Sequence, residues 1–100
     1  MSIIPEGHSL FVIDLEYTVP MEQIQPVLEP HMDFVRRAYD EGRFLASGPK
    51  VPRTGGVVLM VAASLQEAQD YLSEDPFVTA NVANYSYTEF LPNNLHAALK

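Results

Sequence analysis

The sequence predicts an α+β domain of the ferredoxin-like type, in which an antiparallel sheet carries two helices on one face. Three observations support this fold class. Apolar residues alternate with period two over residues 10–17, as in a strand, and recur at spacings of three and four over 24–38, as on one face of a helix. Ser64 stands three residues before Glu67, which is the capping box that begins a second helix. Together with the strands given below, the element order is strand, helix, strand, strand, helix, strand.

The composition is typical of one globular domain. The chain has 100 residues, of which 47% are hydrophobic and 19% are charged. This length is enough for one hydrophobic core and short for two. We therefore predict a single domain over residues 1–100, with a C-terminal tail at about residues 92–100.

Prolines determine where the first helix is expected to begin. Pro20, Pro26 and Pro30 stand before or within the helical pattern. A proline is tolerated in the first turn of a helix, because its missing N–H would have no partner there. We therefore expect the regular helix to begin no earlier than about Pro26 or Val27. Gly42 is expected to end it as the left-handed residue after the last turn.

Short apolar segments and a second cap predict the remaining elements. Asp75, directly before Pro76, is suited to cap a short new turn of helix. The strands are predicted from alternation or from apolar runs bounded by turn residues. They cover Leu10–Tyr17, Arg43–Pro49, Val57–Ala62 and Tyr85–Phe90.

The sheet face opposite the helices is also predicted to be apolar. The segment from Val57 to Ala63 is apolar without a break, and Leu10 and Val12 add to the same face. Because a contiguous exposed apolar sheet favours aggregation, something must cover it. A second subunit is the simplest cover, so we expect a homodimer, with larger assemblies also open.

Charge and composition exclude several classes of partner. Asp and Glu outnumber Lys and Arg by 13 to 6, the net charge is -7, and cysteine is absent. With no basic stripe to neutralise phosphates, we predict neither nucleic acid nor an anionic membrane as a partner. No apolar run reaches membrane-spanning length, and no secretory signal is recognisable. The lack of cysteine excludes thiolate catalysis and fits a reducing cytosol, so we expect a cytoplasmic protein.

His31 is the most informative residue, because it lies where the helical period requires an apolar side chain. A buried imidazole needs a hydrogen-bond partner, and Asp75 is the best acceptor that the sequence offers. Such a pair is either a structural hydrogen bond or an acid/base site. Taken alone, a histidine on an apolar helical face is more often a satisfied core residue. The face consists of Ile24, Val27, Leu28, His31, Phe34, Val35 and Ala38.

Other candidate chemistries have weaker support. Ser47 could complete a Ser-His-Asp set, but its segment lacks the strand-to-helix turn of a nucleophile elbow, so ligand contact or backbone positioning is favoured over covalent catalysis. Tyr85 is expected to pack on a strand face, where its phenol could also orient a polar ring substituent. His8 and His96 lie near the termini, and neither an H-x-x-x-H motif nor clustered carboxylates occur, so no metal site is predicted.

Four segments together resemble the YciI family, also called the YCII-related domain. They come in the family's order and approximate spacing, and the resemblance covers nearly the whole chain. The segments are Pro30-His31, Glu41 to Pro49, Ser64 to Ala68 and Asp75-Pro76-Phe77. The prolines before His31 and the C-terminal residues 95–100 depart from the family's commonest pattern, and both departures bear on the shape of the pocket entrance.

The resemblance implies a dimeric ferredoxin-like α/β barrel. In such a protein His31 and Asp75 would form an active-site pair in a pocket near Ser47, Gly48 and Pro49. A few members of the family act in the breakdown of chlorinated aromatics, as chloromuconolactone dehalogenases or hydroxyhydroquinone dehydrochlorinases. Most members have no established activity.

Two functions remain open. In the enzyme hypothesis, which we favour, His31 is oriented by Asp75 and moves a proton during elimination, isomerisation or lactone chemistry on a small cyclic substrate, without a cofactor. In the alternative, the pocket holds a small metabolite without turning it over. The residues assigned to substrate contact are Ser47, Gly48, Pro49, Phe77 and Tyr85.

Overall fold

The computed structural model describes residues 3–100 and contains one four-stranded antiparallel sheet with strand order β2-β3-β1-β4. The predicted α+β fold class is confirmed, since all the helices pack on one face of this sheet. The elements are β1 (Ser9–Tyr17), α1 (Met21–Asp40), β2 (Phe44–Pro49), β3 (Gly55–Ala62), α2 (Leu65–Leu72), α3 (Pro76–Thr79) and β4 (Ala83–Phe90), followed by a short 3-10 turn (Ala97–Leu99).

The main core lies between the helices and one face of the sheet. Period-two alternation places Phe11, Ile13 and Leu15 of β1 on this face, where all three are buried. In the sheet register Ile13 lies opposite Val58 of β3 and Tyr87 of β4, so these side chains share the face. The helices contribute Ile24, Phe34, Val35, Ala38, Ala68, Leu72 and Phe77 to the same core.

The first helix begins earlier than the prolines predict. Helix α1 begins at Met21, directly after Pro20, and both Pro26 and Pro30 lie inside it. The expected start at about Pro26 is therefore wrong. Both prolines are exposed, and they lie four residues apart on one side of the helix. The carbonyl groups that lose an N–H partner there face water, which can replace the missing hydrogen bonds.

The predicted helix ends and caps are confirmed. Gly42 follows the last turn of α1 with a φ of 74°, the left-handed conformation that glycine adopts without strain. The Ser64 hydroxyl accepts a hydrogen bond from the Glu67 amide at 3.1 Å. The Asp75 carboxylate accepts one from the Phe77 amide at 3.0 Å and so begins α3.

The second face of the sheet is partly covered by the chain itself, which the sequence analysis did not foresee. Ile4 packs on Leu10 and Val61 in a small buried cluster, and Leu95 of the C-terminal tail packs against it. The tail therefore folds back onto the sheet. Beyond this cluster the face is open: Val12, the next residue of β1 on this face, is 39% exposed, and Asp14 and Glu16 follow it.

Within residues 3–100, no helix combines the length and the apolar character that a bilayer crossing requires.

Candidate active site

The structure brings His31 and Asp75 into direct contact, although 44 residues separate them in the sequence. Helix α1 presents His31 toward the core, and Asp75 occupies the cap position of α3, which packs against α1. The His31 Nδ1 and Asp75 Oδ1 atoms are 2.7 Å apart. Because an ionised carboxylate can only accept, Nδ1 carries the shared proton and donates it. His31 is 9% exposed and Asp75 only 2%.

The Asp75 carboxylate is held by donors from three directions. Besides His31, the Phe77 amide donates to Oδ1 and the Tyr85 hydroxyl donates to Oδ2. Burial, reinforced by the negative charge of Asp75, raises the pKa of Tyr85, so the phenol keeps its proton and remains a donor. Asp75 is therefore a fixed acceptor that orients the imidazole.

The His31 ring is also fixed by stacking. It lies parallel to the Phe77 ring, with a centroid distance of 3.7 Å and an interplanar angle of 3°. Among the described residues no side-chain nitrogen or oxygen is both fully buried and without a partner. Nδ1 is bonded to Asp75, so Nε2 is the ring nitrogen that this bond leaves free, and the His31 side chain is among those that line a cavity.

The cavity beside His31 has a volume of about 290 Å³ and lies between α1 and the β2–β3 side of the sheet. This volume is near the lower end of the range of small-molecule sites, roughly 300–1,000 Å³. Its apolar walls come from both layers of the fold. They consist of Leu15, Tyr17, Leu28, Met32, Val35, Pro49, Val57, Val58 and Phe77.

Glycines keep the sheet side of this cavity open. Gly56 lies opposite Leu15 in the register, so a side chain there would project toward α1. Its Cβ would also come within 3.1 Å of the Gly48 carbonyl oxygen. At Gly55 a Cβ would lie 1.7 Å from the Leu15 carbonyl oxygen, so no larger residue fits this backbone. The space beside His31 therefore depends on the missing side chain of Gly56, and Gly55 is required by the backbone.

Four of the five residues assigned to substrate contact line the cavity: Ser47, Gly48, Pro49 and Phe77. The Ser47 hydroxyl hydrogen-bonds to the Tyr39 hydroxyl at 2.7 Å and forms no bond with His31. Tyr85 is not among the described residues that line the cavity, because its hydroxyl lies on Asp75. Its place in the structure is that of a positioning residue.

Arg53 is a cavity-lining residue that the sequence analysis did not single out. It lies in the loop between β2 and β3, whose polar composition alone does not distinguish a site from a connection. The signal that could have found it is the position of this cation four residues after Pro49, a residue assigned to substrate contact.

The fold and the cavity define a ferredoxin-like domain with a buried imidazole–carboxylate pair beside a ligand-sized space. The chain belongs to the YCII-related domain family, whose sequence model matches residues 8–91. The resemblance drawn from the four segments is thereby confirmed. A search of curated proteins gives no match.

Two solved structures share the fold. One is the 5-chloro-2-hydroxyhydroquinone dehydrochlorinase TftG from Burkholderia phenoliruptrix AC1100, in complex with 2,5-dihydroxybenzoquinone; it is 18% identical, with a TM-score of 0.66 over 89% of this chain and 96% of that chain. The other is SnoaB, a cofactor-independent oxygenase from Streptomyces nogalater, 11% identical, with a TM-score of 0.51 over 91% of this chain and 98% of that chain. At these identities the likeness shows the fold.

Proposed function

We propose that the protein is a small-molecule enzyme in which the His31–Asp75 pair acts as an acid/base group. One observation carries this proposal above the others: Nδ1 of His31 is held on Asp75 at 2.7 Å, while the same ring lines a cavity of about 290 Å³. A purely structural histidine would be satisfied without an adjoining space for a ligand. Here the ring keeps a second nitrogen and lines such a space.

The proposed proton transfer uses Nε2 as the base. Because Asp75 keeps the proton on Nδ1, the lone pair of Nε2 is directed at the bound substrate. Nε2 takes a proton from an acidic C–H or O–H group, and the electron pair left behind forms a new double bond. In an elimination that bond expels a leaving group such as chloride, whereas in an isomerisation the imidazolium returns the proton to another atom. Asp75 stabilises the imidazolium between these steps.

The substrate class that fits is a small cyclic organic compound. The walls are mostly apolar and include an aromatic ring, which favours a planar ligand with few polar groups. The structural relative TftG is named for acting on a chlorinated hydroxyhydroquinone and holds 2,5-dihydroxybenzoquinone. Chlorinated or hydroxylated aromatic catabolites and their lactones are therefore the compounds to test first.

The experiment that tests the proposal is a two-stage screen. A panel of chlorinated and hydroxylated quinols, quinones and muconolactones, with 2,5-dihydroxybenzoquinone included, is ranked by the rise in melting temperature, because a ligand of the folded state stabilises it. Each compound that binds is then tested for turnover by chromatography, with chloride release followed where chlorine is present. Turnover that disappears in the His31→Asn variant supports the proposal. Binding without turnover across the panel would favour the alternative, a metabolite-binding module.

We also infer that two copies associate through the second sheet face. The support is two aliphatic side chains that stay exposed on that face, Val12 at 39% and Val57 at 38%, next to the ion pair of Asp14 with Lys50. Two such faces packed together would remove this surface from water.

A further inference from the structure

We propose that the cavity selects a ring compound carrying an anionic oxygen group, and that Arg53 binds this group. This inference deepens the proposed function and rests on it for the reaction, since it names the substrate class of the same cavity. The juxtaposition that carries it is one guanidinium and one imidazole lining a mostly apolar space.

A single permanently charged side chain is found among the described residues that line the cavity, and it is a cation. The chain contains 13 Asp and Glu residues against 6 Lys and Arg, yet no acidic side chain is among the described residues that line this space. Arg53 is the one lysine or arginine in that set. In a protein with a net charge of -7, a cavity free of carboxylates admits an anion that the rest of the surface would repel.

Arg53 has no carboxylate partner in the described part of the chain. The other arginines each form an ion pair: Arg36 with Asp33, Arg37 with Glu74 and Arg43 with Glu67. A guanidinium presents donors in a planar fork that matches a carboxylate, and an exposed one with no internal partner is free to bind a ligand.

Two carboxylates of β1 pair with another cation. Asp14 and Glu16 lie opposite Val57 and Gly55 in the register and point to the face away from α1. Lys50 pairs with both of them, at 2.7 Å and 3.1 Å. These two acids are therefore held by Lys50 on the other face of the sheet.

The loop that carries Arg53 is anchored on both sides. The Lys50 amide donates to the Gly55 carbonyl at 2.9 Å, and the Tyr17 amide donates to the Thr54 carbonyl at 2.9 Å. These bonds tie residues on either side of Arg53 to the sheet. A ligand anion bound by Arg53 would therefore fix the ring in one orientation relative to His31.

Matched ligand pairs test this proposal without requiring turnover. 2,5-Dihydroxybenzoate and 2,5-dihydroxybenzamide share a ring and differ in charge, and 4-nitrophenolate with 4-nitroanisole tests a phenolate in the same way. Affinities are measured by isothermal titration calorimetry for the wild type and for Arg53→Gln. We expect the variant to lose about tenfold or more in affinity for the anion and to bind the neutral partner unchanged. A loss of affinity for 2,5-dihydroxybenzoate would identify the bound group as a carboxylate, and a loss for 4-nitrophenolate would identify it as a phenolate.

Arg36→Gln is the control, because it changes the net charge equally at an arginine of α1 that is paired with Asp33. Equal losses in both variants, unchanged anion affinity in Arg53→Gln, or no binding of either anion to the wild type would overturn the proposal. If Arg53→Gln loses anion affinity while His31→Asn keeps full turnover, the anion site stands and the acid/base function fails. If Arg53→Gln keeps its anion affinity while His31→Asn loses turnover, the acid/base function stands and the anion site fails.

Discussion

The two faces of the sheet are completed in different ways. On the helix side, α1, α2 and α3 close over the strands and leave a cavity that His31 lines. On the second face, Ile4 and Leu95 cover one end, Val12 and Val57 are partly exposed, and Asp14 and Glu16 form ion pairs with Lys50 at the far end. The first opening is concave with a few polar groups, whereas the second is an open strand surface.

This difference indicates what each opening can bind. A small ligand needs a concave space with a few placed polar groups, which His31, Ser47 and Arg53 provide on the helix side. An open strand surface with exposed aliphatic side chains and ion pairs at its edge, such as that around Val12, offers area rather than a cavity, which suits another protein surface. Substitutions on one face should therefore leave the property of the other face unchanged.

The largest expected effect is on turnover, at His31. Asparagine can still donate a hydrogen bond to Asp75 but lacks the second ring nitrogen, so His31→Asn should lower kcat by about 10²- to 10⁴-fold. Loss of the stacked ring should cost about 1–3 kcal/mol of stability, measured by urea unfolding. His96→Asn, at an exposed position, is the matched control. Full activity in His31→Asn would show that His31 is not the acid/base group.

The second prediction concerns assembly. Val12→Asp places a charge on the exposed part of the second face, so sedimentation at micromolar concentration should show a monomer instead of a dimer. The affinity for a cavity ligand should stay unchanged. Leu65→Asp on α2 is the control, since Leu65 is 40% exposed and lies on the helix side. A wild type that sediments as a monomer, with no association on titration, would remove the dimer.

A smaller effect is expected from Tyr85→Phe, which removes one of the donors to Asp75. Because Asp75 keeps two other donors, kcat should fall by about two- to tenfold with KM unchanged. A change in KM alone would instead place Tyr85 against the substrate and restore the role assigned from the sequence.

The same variant should change stability at alkaline pH. Burial and the charge of Asp75 raise the pKa of Tyr85 in the folded state, so the unfolded chain releases this proton first, near pH 10. The stabilisation that comes from this proton is fully present below that pH. Above it, the free energy of unfolding should fall by about 1.4 kcal/mol per pH unit. Denaturant unfolding at a series of alkaline pH values should show a shallower fall in Tyr85→Phe. Identical slopes in the two proteins would contradict the buried, protonated phenol.

The smallest effect is expected at the ion pair between Arg43 and Glu67, outside the cavity that His31 lines. The hydrogen bond from Arg43 lowers the pKa of Glu67. Both side chains are about one-third exposed, so Glu67→Gln should cost about 0.2–1 kcal/mol at neutral pH. This stability is present above the usual pKa of glutamate and is lost as the pH falls. A change in ligand affinity in Glu67→Gln would contradict the placement of this ion pair outside the cavity.

Much of the fold could be predicted from local patterns. Alternation over β1, the cap at Ser64 and the left-handed Gly42 are short-range signals, and each element is confirmed. The start of α1 was not predictable in the same way. Whether Pro26 breaks a helix depends on whether the carbonyl that it leaves unpaired faces water, and only the packed structure determines that.

The candidate site also contains residues with a local sequence signal and residues whose role depends on the packed structure. His31 could be singled out because a polar residue interrupts an apolar stripe, and Asp75 because of its cap position. Tyr85 was assigned to substrate contact rather than to Asp75, and Arg53 was not singled out. Their places depend on strand register and loop path, which bring the Tyr85 hydroxyl onto Asp75 and the Arg53 side chain to the cavity.

The state of the two His31 ring nitrogens is the most direct measurement of the proposed acid/base site. ¹⁵N NMR distinguishes a protonated nitrogen from an acceptor, and the chain contains only 3 histidines, so assignment by His31→Asn is simple. In alkaline buffer we expect the proton on Nδ1, shared with Asp75, and an unprotonated Nε2 whose resonance shifts when a cavity ligand is added. A proton on Nε2, with Nδ1 as the acceptor, would contradict the proposed base.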